Sequence, residues 1–99
     1  MKETETMDHA AFLVAIRQLC AAADIAAKAG PQDLRFAAFQ SLAFFRRYDD
    51  TGLSRTAAST SNDELFLRTA EAALTMAGRN EFPASLALLE QAKSLLHAT

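Results

Sequence analysis

The chain has 99 residues, enough for one domain and not for two. Ala and Leu supply 22 and 13 of them, whereas Val and Ile together supply three. That bias suits helices and argues against a β-sheet core. Ten basic against twelve acidic residues leave a net charge of −2, without the basic excess that gripping a nucleic-acid backbone requires.

Met1 to Met7 is polar and acidic and reads as a disordered leader, without the basic and apolar regions of a secretory signal. Asp8 is placed to cap a first helix, in which Phe12, Ile16, Leu19, Ala23 and Ala26 keep the spacing of one inward face. Its longest unbroken apolar run, Ala10 to Ile16, stops at Arg17, short of the roughly 20 residues that span a bilayer. A soluble, cytoplasmic protein with no membrane contact is expected. Cys20, the only cysteine, lies in an apolar stretch as a small filler, and with no second thiol it fits a reducing compartment. Asp24 marks the solvent edge of this helix, with Lys28 one turn away as its natural partner.

Gly30-Pro31 ends the first helix, Gly offering a left-handed residue and Pro refusing to continue. So tight a connection makes the next helix an antiparallel neighbour. That second helix, Gln32 to Tyr48, holds five of the eight aromatics: Phe36, Phe39, Phe44, Phe45 and Tyr48. At 100° per residue, Leu34, Ala37, Ala38, Phe44, Phe45 and Tyr48 share one broad face, and Phe36, Phe39 and Ala43 occupy the opposite one. Arg35 with Arg46, and Gln40 with Arg47, form narrow polar stripes between them. A surface helix needs one apolar face, so a helix with two calls for a cover on its second side.

Residues 49–62 read as a linker, rich in Ser and Thr and without helical or strand period. Ser61-Asn62-Asp63-Glu64 then reads as a capping box opening a third helix, with Phe66, Ala70, Ala73 and Ala77 inward and Leu67 and Leu74 beside them. Gly78 stops it. After a short turn, in which Asn80 is a candidate N-cap, the fourth helix runs to His97. Ser85, Leu88, Leu89, Ala92, Leu95 and Leu96 share its inner side, leaving Leu86 outside as a further docking residue.

The fold class that follows is all-α. It is a four-helix bundle of two antiparallel hairpins, residues 8–48 and 63–97, joined by the linker. A shift of 48 residues lays one hairpin on the other: Leu19 meets Leu67, Ala22 meets Ala70, and both first helices end in Ala-Gly. In the second hairpin, Phe82, Ser85, Leu89 and Ala92 carry the spacing of the aromatic and small positions in a tetratricopeptide second helix. Over residues 67–95 the chain therefore resembles a degenerate tetratricopeptide unit. It departs from that pattern at Glu71, in a longer inter-helix turn and in its period.

Reactive constellations are scarce. His9 and His97 sit at opposite ends of the chain, and neither has a second histidine at metal-ligand spacing. No Gly-rich loop precedes a helix, and Arg46-Arg47 followed by Asp49-Asp50 suits a helix end and a polar turn. A helix-turn-helix reading fails on its second helix, which opens Pro83-Ala84-Ser85-Leu86-Ala87 and offers almost no base-reading or phosphate-binding groups. Neither an enzyme nor a DNA-binding regulator is expected, and no cofactor or metal. The reading favoured by the sequence is a protein–protein interaction module, self-associating as a homodimer through Phe36, Phe39, Ala43, Arg46, Arg47 and Leu86. The alternative is a bundle whose aromatics line a cavity for an apolar small ligand.

Overall fold

The computed structural model describes residues 9–50 and 58–98. The leader, the Asp8 cap and linker positions 51–57 lie outside the described residues. Four helices make up nearly all of the rest: α1 (His9–Ala29), α2 (Gln32–Asp50), α3 (Asp63–Gly78) and α4 (Phe82–Leu95). Two three-residue strands, β1 (Ala58–Thr60) and β2 (Leu96–Ala98), complete it. The helical bundle expected from composition is what forms.

α1 packs along both α2 and α3, and α3 packs along α4. Side-chain contacts give the directions. Phe12, near the start of α1, reaches Tyr48, near the end of α2, with ring centroids 6.3 Å apart. Arg17 meets Asp49 at 3.1 Å in the same sense, so these two helices run in opposite directions. In α3 and α4, the Ser85 hydroxyl donates to the Ala73 carbonyl at 2.8 Å, and the Gln91 amide donates to the Thr69 hydroxyl at 2.8 Å. They too are antiparallel. Phe12 also stacks on Phe66 of α3, 5.9 Å between centroids, which sets α1 and α3 side by side with their starts together.

The core has two textures. At the end holding the start of α1, rings fill the space: Phe12, Phe45 and Phe66 are wholly buried, and Phe44 lies 5.1 Å from Phe45 and 5.7 Å from Tyr48. Offset and edge-on ring pairs at these distances are favourable beyond their buried area. Toward the other end the fill is alanine: Ala22, Ala23 and Ala26 of α1 face a core shared with Ala70, Ala73 and Ala77 of α3. Small side chains let helix backbones approach closely. The inward stripes expected in α1 and α3 are all fully buried.

Four details differ from the sequence expectation. Gly30 is not left-handed; its Cα lies so near the preceding turn that a Cβ would stand 2.4 Å from the Ala26 carbonyl oxygen. The left-handed residue is Asn80, with φ 63°, so it ends α3 instead of capping α4; the residue before α4 is Glu81. The cap of α3 is Asn62, one residue later than Ser61, and its side chain accepts from the Leu65 N–H at 3.0 Å. Finally, Asp49 and Asp50 continue α2, and α4 stops at Leu95. Leu96 to Ala98 then pairs antiparallel with Ala58 to Thr60, Thr60 opposite Leu96 and Ala58 opposite Ala98. The Ser61 N–H donates to the Leu95 carbonyl at 2.9 Å, extending this ladder by one bond. The pair ties the entry of α3 to the exit of α4.

Candidate interaction surface

α2 receives its orientation from its inner residues. Ala38, Ser41, Leu42, Phe45 and Tyr48 are buried, and Leu34 and Phe44 pack against the same core. Ser41 and Leu42 extend the inner face beyond the residues expected there. With that side committed, the 3.6-residue period drives Phe36, Phe39 and Ala43 outward. Phe36 is 73% exposed and Phe39 53%, and Ala43 is exposed beside them. The three stand at i, i+3 and i+7, a single ridge along the outside of α2.

Cations border the ridge. Arg35 is anchored, its Nε donating to the Gly30 carbonyl at 2.9 Å, which also fastens the α1–α2 turn. Arg46 and Arg47 lie exposed one turn beyond Ala43. Five of the six expected surface residues are therefore on the outside of one helix. Leu86 is not, and that expectation is corrected: Leu86 is 9% exposed and belongs to the core. The inner stripe of α4 is Phe82, Ser85, Leu86, Leu89 and Ala92. Phe82 is the first residue of the helix rather than part of a turn, and the stripe counted from it passes through Leu86.

The aromatics of the inner face pack on one another, as the ring distances above show. Lys93 of α4 covers the outer side of Phe44, its ammonium 5.6 Å from the ring centre and 2.9 Å from Glu90. Asp24 pairs with Lys28 at 3.3 Å, as its spacing suggests, and Cys20 is half-buried against the core. His9 opens α1, and His97 belongs to β2 rather than to a helix end. Among the described residues, no three His, Cys, Asp or Glu side chains gather where a cation would bind.

A second apolar feature escaped the sequence reading. Val14 of α1 is 56% exposed, off the inward stripe, and lines a surface groove of about 320 Å³ between α1 and α3. Ala11, Gln18, Leu67, Arg68 and Glu71 complete its lining. The signal was present in α1, where Ala11, Val14 and Gln18 repeat at i, i+3 and i+7 on another side of the helix from Phe12. It becomes a groove only because α3 lies alongside.

No family model matches the chain, and no curated protein or solved structure is similar to it. Phe82, Ser85, Leu89 and Ala92, the residues that carry the tetratricopeptide likeness of residues 67–95, are all buried on the inner side of α4. By length and composition α1 is apolar enough over Ala10–Ala29 to cross a membrane, although charges interrupt it. In the fold, its apolar face is taken up by the bundle core.

Proposed function

We propose that this chain is a non-catalytic helical docking module that associates with a second copy of itself through the outer ridge of α2. The observation that carries the reading is the exposure of Phe36 and Phe39, neighbours one turn apart on a helix whose other face is already filled. Burying a phenylalanine side chain fully contributes about 1.5–3 kcal/mol, so two rings supply a useful gain before association costs are subtracted. Ala43 leaves room for a backbone or a ring to approach, and the arginines supply a polar rim of the kind that surrounds an apolar interface centre. A single cysteine agrees with a reducing, cytoplasmic setting.

The cavity-ligand alternative has less support. The inner rings contact each other, and the groove between α1 and α3 has no aromatic lining. Replacing Phe36 and Phe39 together by Ala tests the docking reading. Circular dichroism should show unchanged helicity, while the melting temperature, which should rise with protein concentration in the parent chain, should become independent of it in the variant. Loss of helicity would assign the two rings to the monomer core and contradict the proposal.

A further inference from the structure

Resting on the self-association proposed above, we infer that the α2 ridge of one copy seats in the α1–α3 groove of the next, making the contact head-to-tail rather than ridge-to-ridge. Shape is the first argument. The ridge, Phe36 to Ala43, and the α1 wall of the groove, Ala11 to Gln18, each span seven helical steps, about 10.5 Å at 1.5 Å per residue. The groove, about 320 Å³, lies at the lower end of the ~300–1,000 Å³ range of cavities that hold organic ligands. Ala11, Val14 and Leu67 give it an apolar interior.

Charge is the second argument. The ridge is bordered by Arg35, Arg46 and Arg47, so two ridges facing each other would bring cations together. The groove lining carries one cation and one anion, Arg68 and Glu71. Arg68 at its edge is matched by Glu64 at 2.7 Å, and Glu71 adds an exposed carboxylate with no ion-pair partner among the described residues. An arginine-bordered ridge thus meets an apolar slot whose one charge without an ion-pair partner among the described residues is the Glu71 carboxylate.

In this head-to-tail contact, one ridge seated in one groove, a pair leaves one ridge and one groove unused. Such an interface extends until a ring closes or the ends are blocked. That property makes it testable by mixing. Phe36→Ser/Phe39→Ser removes the ridge and Val14→Arg obstructs the groove; Glu71→Arg is a second groove variant, at an exposed position that leaves folding intact. Sedimentation of each variant alone should show a monomer, with association weakened at least tenfold. An equimolar mixture of a ridge variant with a groove variant should form a one-to-one complex with the parent chain's apparent affinity, and no larger species.

Groove variants that associate like the parent would overturn the head-to-tail contact and leave self-association standing. Folded variants that stay monomeric when mixed would overturn it as well. A parent chain that remains monomeric at every concentration would remove both readings together.

Discussion

Gly30 and Ser41 show how single atoms constrain this bundle. At Gly30 the missing Cβ matters through space rather than dihedral angle: 2.4 Å from the Ala26 oxygen is well inside contact distance. Gly30→Ala should therefore cost about 1–3 kcal/mol, as overpacking at a tight site does. At roughly 4–8 °C per kcal/mol, thermal melting will detect it. An unchanged melting temperature would show that the α1–α2 turn relaxes freely. Ser41 is the converse case. Its hydroxyl is fully buried on the inner face of α2 with no hydrogen-bond partner among the described residues. A buried unsatisfied hydroxyl costs about 1–3 kcal/mol, so Ser41→Ala should leave stability equal or higher in denaturant melts, and a loss would reveal a hidden partner. Neither site was legible as such in the sequence. Gly30 was recognised as a helix end, but the close approach depends on backbone placement; Ser41 stood among residues assigned to neither face.

The helices divide by how far their own residues decide them. α1 and α3 carry regular inward stripes and were legible residue by residue, because Phe12, Ile16, Leu19, Ala23 and Ala26, and Phe66, Ala70, Ala73 and Ala77, each face one continuous core. The start of α3 was legible to within one position, since Asn62 and Ser61 are both good caps and only geometry chooses. Asn62→Ala should cost about 0.5–2 kcal/mol by equilibrium unfolding, and Ser61→Ala much less at the cap; the reverse order would restore the Ser61 reading. The end of α4 was not legible. Leu96-His97-Ala98 continues a helical pattern on its face, and Ala58-Ser59-Thr60 has no strand period. Each becomes extended only because the other supplies its ladder. Pairing between distant segments leaves little trace in either one alone. Leu86 was misplaced for a related reason, since the inner stripe of α4 is set by Phe82 at its first position.

Across the whole molecule, the aromatic end of the core carries the fold and the outer ridge carries the proposed association, and the two should separate experimentally. Phe66, wholly buried and stacked on Phe12 between α1 and α3, is the contrasting position. Phe66→Ala should lower stability by about 3–5 kcal/mol, with loss of the cooperative thermal transition or a large fall in its midpoint. Substitutions at Phe36 and Phe39 should leave that transition in place at low protein concentration. The all-α bundle and the outward direction of Phe36, Phe39 and Ala43 were legible because helical period alone sets them. The groove was not, because it belongs to two helices distant in sequence. The most direct measurement is solution mass by light scattering over a wide concentration series, for the parent chain and for the Phe36→Ala/Phe39→Ala variant. Mass rising above that of one 10.7 kDa chain in the parent and staying at one chain in the variant is the predicted result. A parent mass fixed at one chain throughout, or a variant that associates as the parent does, would contradict it.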